Sequence, residues 1–275
     1  MTAPVSFTLP QFDRSPRAFL DLCRQAPALG IRGVFGFDHL VPLGDPQRPV
    51  LEGAAVLAAA AAAAPPPTRI GSLVMRTSVR PPEVTAAVVA TVAAICGSRA
   101  VIGLGIGDRF SADEARRYGM PRGALDERLR DLEKTIALIR QRAPAVAVWI
   151  GGTHQALRDM AAGLADGWNA WQVSVDRLRA MVAEVREAAA RPLTVSWGGG
   201  VILSTDSASL QEALAKRGGA KAAADRGLLA GTPDQVTVAL RKRAECVDEL
   251  VVSVLPNVPS TWALFSKEVL PNLAH

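Results

Sequence analysis

Residues 5–9 alternate apolar and polar side chains, the period-two signature of a strand with one buried face. The spacing then turns helical. With Ser15 as N-cap, Phe19, Leu22 and Cys23 share one face of a helix that closes at Gly30. This exchange of short apolar run and helical pattern continues to the end of the chain. It predicts further strands at residues 31–37, 70–74, 100–104, 147–150, 168–171, 193–202 and 249–254. The run 193–202 is expected to be interrupted at Gly198-Gly199-Gly200. Helices are expected over the alanine-rich stretch 54–64, from Pro81-Pro82 to Gly97, through Leu129, Leu132 and Ile136, and after Gly152. Others cover 176–190, Thr232-Pro233-Asp234 to Cys246, and the segment from Ser260. Residues 205–230, partly helical and containing Gly218-Gly219, form an insertion before the last strand.

Eight strands, each followed by a helix, in 275 residues predict one domain over 1–275, a closed parallel (β/α)8 TIM barrel with that insertion. The rival is an open doubly wound sheet. No composition shift, Pro/Ser linker or internal repeat divides the chain. Composition narrows the setting. At 49% apolar residues the chain can build a large core without disulfides or a metal. Cys23, Cys96 and Cys246 lie far apart within apolar patterns and read as reduced, buried residues of a cytosolic protein. The excess of Lys and Arg, 31 against 26 acidic residues, is spread along the chain without a basic run, which argues against nucleic acid. It suits an anionic small molecule or simple solubility equally. The opening MTAPVSFTLP has neither the basic nor the apolar part of a signal peptide. The alanine run stops at Pro65-Pro66-Pro67, too short to span a bilayer. A cytoplasmic protein without a membrane partner is the resulting expectation.

In such barrels the chemistry lies on loops after the carboxyl ends of the strands. The second predicted strand ends at Phe37-Asp38-His39-Leu40, an adjacent carboxylate and imidazole. A capping Asp38 with an exposed His39 is as good a reading as a functional pair. His275 is terminal, and no zinc-like ligand spacing exists. The fourth strand ends Gly103-Leu104-Gly105-Ile106-Gly107-Asp108, spaced GxGxG and not GxGxxG, and without the acidic residue of a dinucleotide fold. Its glycines are expected to let backbone approach a flat ring, with Asp108 at the rim. The fifth ends Trp149-Ile150-Gly151-Gly152-Thr153-His154 and leads straight into a helix, either a phosphate cradle or an ordinary tight turn. No GxSxG elbow and no P-loop occur.

Taken in order, these pieces resemble the bacterial luciferase-like family of flavin- and deazaflavin-dependent oxidoreductases. The landmarks are Thr8-Leu9-Pro10-Gln11, Leu29-Gly30-Ile31 leading to Asp38-His39, Arg69 through Val74, Arg80-Pro81-Pro82, and Ser98-Arg99 before Gly103-Leu104-Gly105. Ile150-Gly151-Gly152, Ala165-Asp166-Gly167-Trp168-Asn169 and Gly231-Thr232-Pro233-Asp234 complete the set. The resemblance implies a (β/α)8 barrel, often a homodimer, and is nearest to the short branch that uses coenzyme F-420, a 5-deazaflavin. It implies that Asp38 contacts the cofactor and that His39 is a general acid or base. Leu73-Val74 would form a bulge with a non-prolyl cis peptide backing the ring. Gly105 and Gly107 would border the cofactor. Asp108 falls where related sugar-phosphate dehydrogenases carry a Glu. Gly151, Gly152, Thr153 and His154 would make the phosphate-proximal turn. The implied reaction is hydride transfer between coenzyme F-420 and a small organic substrate. The alternatives are an FMN-dependent monooxygenase and a flavin-binding protein without turnover, the last disfavoured by Asp38, His39 and Asp108 standing together at strand ends.

Overall fold

The computed structural model describes residues 3–12, 16–42, 47–108, 111–120 and 123–273, without the side chains of Ser111 and Asp113. The proposed cap Ser15 and the terminal His275 lie outside the described residues. Among the described residues nine parallel strands form: β1 Val5–Thr8, β2 Gly33–Gly36, β3 Arg69–Arg76, β4 Ala100–Gly105, β5 Ala147–Gly151, β6 Gly167–Trp171, β7 Thr194–Leu203, β8 Leu229–Gly231 and β9 Glu249–Leu255. β1 to β6 pair in chain order, β6 pairs with β7, β7 with β9, and β9 with β1. These contacts close an eight-stranded barrel. The short β8 stands outside the ring, paired with Val201, Ile202 and Leu203 at the end of β7.

Helices return the chain between strands: α1 Pro16–Gln25, α2 Gly53–Ala63, α3 Pro82–Cys96, α4 Ser111–Arg117, α5 Leu125–Arg142, α6 Gln155–Leu164 and α7 Val175–Ala188. Then come α8 Ser207–Ala215, α9 Gly219–Asp225, α10 Pro233–Ala244 and α11 Pro259–Leu264. The amphipathic α1 buries Phe19, Leu22 and Cys23, as its spacing requires. The alanine-rich α2 sits on the same outer core through Val56, Leu57, Ala60 and Ala61. None of the described helices is long and apolar enough to cross a membrane.

Alternation along each strand splits the core in two. Val5, Phe7, Val34, Ile102 and Val148 pack outward against the helices. Phe35, Leu73, Val101, Trp149 and Val251 meet inside the barrel, where Phe35 and Trp149 stack at 5.8 Å. Beneath them, at the amino ends of the strands, Ser6 donates to Glu249 at 2.6 Å and Arg69 reaches the other carboxylate oxygen at 3.2 Å. Burial pushes the Glu249 carboxyl up despite Ser6, Arg32 and Arg69. This polar plug faces away from the carboxyl ends and reads as stabilising the closed end.

Two sequence expectations change. β7 runs unbroken through Gly198-Gly199-Gly200. Those glycines make room for large neighbours: a Cβ on Gly198 would lie 2.3 Å from the Trp171 ring, and one on Gly200 would lie 2.4 Å from Leu228. The strand survives because its missing side chains are replaced by rings and a leucine from other elements. The insertion also contributes a strand, β8, beyond the helical content expected for 205–230. Leu210, Leu214 and Ala223 of α8 and α9 pack on Ile202, Leu228 and Leu255, so the insertion covers the carboxyl ends of β7 and β9.

Candidate active site

The segment after β2 is held from below by Gln11. Its amide is buried, donates to the carbonyls of Phe37 at 2.7 Å and Leu51 at 2.8 Å, and accepts from the Phe37 N–H at 2.7 Å. This clamp gives the landmark Pro10-Gln11 a physical role, since it fixes where Asp38 and His39 leave the barrel.

Asp38 is 2% exposed, and both of its oxygens are engaged. Arg80 grips them in a two-pronged pair at 2.8 and 2.9 Å, and Oδ2 also accepts the Arg76 N–H at 2.8 Å. Arg80 continues to Glu52, whose carboxylate caps α2 through the Ala55 N–H. The structure therefore joins Asp38 to the end of β3 and to Arg80-Pro81-Pro82, which in the sequence is only a landmark.

That backbone is irregular. The Leu73–Val74 peptide is cis, and the register between β3 and β4 shifts between Ser72 and Met75. The glycines of the neighbouring strands face this bulge. A Cβ on Gly105 would lie 2.5 Å from Val74 Cγ2, one on Gly151 would lie 2.4 Å from Val74 Cγ1, and one on Gly103 would lie 2.3 Å from the Ser72 carbonyl. The space above Gly105 and Gly151 is thus filled by the half-buried Val74. Gly151→Ala should force this valine to move and destabilise the chain by about 1–3 kcal/mol, the usual scale of overpacking. Adding Val74→Ala should recover most of the loss in urea unfolding. Additive effects of the two changes would show that Gly151 does not exist to admit Val74.

His39 leads to a group that the sequence does not reveal. Its Nδ1 lies 3.0 Å from Glu114 Oε1, and Glu114, on α4, is fully buried. The same oxygen accepts the Val41 N–H at 3.3 Å, while Oε2 pairs with buried Arg76. Burial opposes ionisation of Glu114, but the His39 hydrogen bond and the Arg76 charge outweigh it and hold the carboxyl below its ordinary range. An ionised carboxylate only accepts, so Nδ1 carries the proton and Nε2 is left for other partners. Tyr118, just past α4, donates to the Leu40 carbonyl at 3.0 Å and ties this helix across the loop. Glu114 could not be found by spacing because it lies 75 residues from His39. Asp108 stands exposed after β4, and the carboxylate on the His39 ring is that of Glu114.

Aromatic rings flank the imidazole. Phe12 stacks on Phe37 at 5.9 Å and lies 6.5 Å from the His39 ring, and Phe37 meets Trp171 edge-on at 5.6 Å. Across the mouth, Arg128 of α5 braces the carbonyls of Ile106 and Gly107, where Gly107 has φ +79°. Gly152 has φ +128°, and its carbonyl accepts the Trp168 indole at 2.8 Å. His154 caps α6 through its own Nδ1, which accepts the Ala156 N–H at 3.3 Å, and Arg158 donates to the Thr153 carbonyl at 2.6 Å. Part of the expected phosphate turn is therefore closed by its own side chains. No group of three His, Cys, Asp or Glu side chains is placed to hold a metal among the described residues.

Residues 3–143 match the family profile of the luciferase-like monooxygenases. The chain belongs to that family. No curated protein matches it by sequence. Several solved structures share the luciferase-like barrel over nearly the whole chain. A coenzyme F-420-dependent secondary alcohol dehydrogenase, solved with an F-420–acetone adduct, has a TM-score of 0.83 at 14% identity, covering 99% of both chains. The coenzyme F-420-dependent tetrahydromethanopterin reductase of Methanopyrus kandleri gives 0.79 at 16% identity, covering 99% of this chain and 100% of the other. The EDTA monooxygenase of Chelativorans sp. BNC1 gives 0.76 at 16%, covering 100% and 94%. At these identities the likeness establishes the luciferase-like fold, and function has to be argued from the site.

Proposed function

We propose that this luciferase-like protein is a deazaflavin (coenzyme F-420)-dependent oxidoreductase that transfers a hydride between the cofactor and a small organic substrate. The observation that carries the reading is His39 Nδ1 held 3.0 Å from the buried Glu114 carboxylate, which would leave Nε2 to exchange a proton with the substrate. Reduction of a carbonyl needs a proton at oxygen as well as a hydride at carbon, and His39 is placed as the group that handles the proton.

The mouth fits a planar ring. Val74 offers an apolar floor, Phe37 and Trp171 an aromatic side, and Gly107 and Gly152 bring backbone to the rim. The Thr8 hydroxyl, buried at the end of β1, lacks a hydrogen-bond partner among the described residues and could be satisfied by a polar edge of the ring. In this reading Leu73, Val74, Gly107 and the turn from Gly152 to His154 border the cofactor, and Gly105 and Gly151 do so through Val74, which fills the space above them. Asp38 sets the bulge, and Asp108 meets the substrate at the rim. The deazaflavin, when bound, supplies the two-electron hydride carrier, while the protein supplies position and proton transfer.

Titration of the purified protein with coenzyme F-420, FMN and FAD tests the proposal. The deazaflavin should bind at micromolar concentration or below, and FMN clearly more weakly. Tight FMN binding without binding of the deazaflavin would turn the assignment to an FMN-dependent monooxygenase. The family description and the EDTA monooxygenase likeness favour that second reading.

A further inference from the structure

Gln172, directly after β6, has φ +54°, a left-handed conformation that no other described non-glycine residue adopts. A side chain there costs free energy that glycine would not. Two neighbours hold the conformation. The Gln172 N–H donates to the Gly198 carbonyl at 2.6 Å, and a Cβ on Gly227 of the insertion would lie 2.9 Å from the Gln172 carbonyl oxygen. The amide end turns toward β7. A Cβ on Gly200, which would run into Leu228, would lie 3.8 Å from Gln172 Nε2 and 3.6 Å from Leu255 Cδ1.

Gly200 faces the barrel interior, because Val201 beside it packs in the outer core. Its partner on β9 is the half-buried Ser253, which stands between outward Val252 and Val254 and therefore shares the inner face. One residue beyond the Phe7–Val252 pair, inward Thr8 continues this row on β1, its hydroxyl buried and without a partner among the described residues. A buried hydroxyl in that state marks a place where a polar partner is missing. The row lies across the mouth from the Leu73–Val74 bulge, since β7 stands four strands from β3 in either direction around the closed ring.

We infer that Gln172 and Ser253 form the substrate side of the mouth, a neutral hydrogen-bonding subsite that takes an uncharged carbonyl or hydroxyl compound. The inference deepens the proposed function, on which it rests, by naming the substrate class opposite the bulge that floors the cofactor. An amide and a hydroxyl each donate and accept, so the pair can satisfy both a carbonyl and an alcohol. Neither supplies a countercharge, and a carboxylate or phosphate seated on them would lose water without gaining a cation. Leu228 and Leu255 flank the amide and suit an apolar body beside the polar group. The insertion, through Gly227, thereby fixes the amide that reads the substrate.

The probes are 4-hydroxycyclohexanone and its charged counterpart, 4-oxocyclohexanecarboxylate. Calorimetry on the full chain, with and without saturating oxidised coenzyme F-420, should show saturable binding of the neutral ketone and weaker binding of the carboxylate. Gln172→Leu and Ser253→Ala should each weaken the ketone about fivefold or more, the scale of one lost hydrogen bond, and leave the carboxylate unchanged. Gln172→Gly separates binding from packing. It relieves the left-handed backbone, so its urea midpoint should stay at or above wild type while ketone affinity falls. Should Gln172→Leu fail to fold, Gln172→Gly and Ser253→Ala carry the same test. No saturable ketone binding in either condition, or a preference for the carboxylate, would overturn the subsite. So would a lower midpoint in Gln172→Gly with ketone affinity intact, which would make Gln172 a packing residue. Failure of the proposed function looks different: ketone binding that depends on Gln172, in a protein that does not bind the deazaflavin, would keep the subsite and reject the cofactor.

Discussion

His39→Ala is expected to lower turnover by about 10²-fold or more while leaving the fold and cofactor affinity unchanged, the scale of a lost general acid or base. The fold should persist because Glu114 keeps its pair with Arg76 and its bond from the Val41 N–H. The measurement is steady-state turnover with a substrate found by screening after the cofactor is known. Rates near wild type would move the proton-handling role elsewhere on the rim. Glu114→Gln separates positioning from chemistry. It should lower turnover less, and it should disturb the imidazole tautomer, which nitrogen NMR shifts of the ring report directly. Stability gives an independent reading of the same pair. The folded state holds Glu114 below its ordinary value of 4.5, so its contribution is present above that value and lost as pH falls through the lower folded value. The acid limb of wild-type stability should therefore flatten in Glu114→Gln.

Asp38→Ala should cost about 3–5 kcal/mol of stability, because it leaves the mostly enclosed Arg80 head group without its principal partner. Arg80 is 13% exposed at its side chain, and Glu52 remains beside it, itself 42% exposed. The change also strips the acceptor from the Arg76 N–H at the end of the bulge. Urea unfolding should show the midpoint falling with little change in slope. A loss confined to cofactor affinity, with stability intact, would instead make Asp38 a direct contact to the ring. Arg80→Met in the Asp38→Ala background should add little, since the charge left unpaired is then gone.

The strand order, most of the helices, the barrel and the loops that carry the candidate chemistry were legible along the chain, because period-two and helical spacing report which face of each element is buried; α4, which carries Glu114, was not among the helices expected. Asp38 and His39 follow β2 as the sequence placed them, since adjacent residues leave a strand together, and the Leu73–Val74 bulge formed within β3, which runs on to Arg76. Partnership was not legible. Glu114 reaches His39 from an element 75 positions away, and Arg80 closes on Asp38 from 42 positions away. Only barrel closure brings those groups within bonding distance. The glycines show the same division. Gly105 and Gly151 announce that something approaches closely, yet a missing side chain does not say what fills the space, and packing assigned it to Val74. Gly198 to Gly200 read as a break in isolation, and became an unbroken strand because Trp171 and Leu228 occupy the volume their side chains lack. Periodicity is local and survives in one dimension. Pairing between charges and the filling of space above a glycine depend on distances that exist only after the chain has folded.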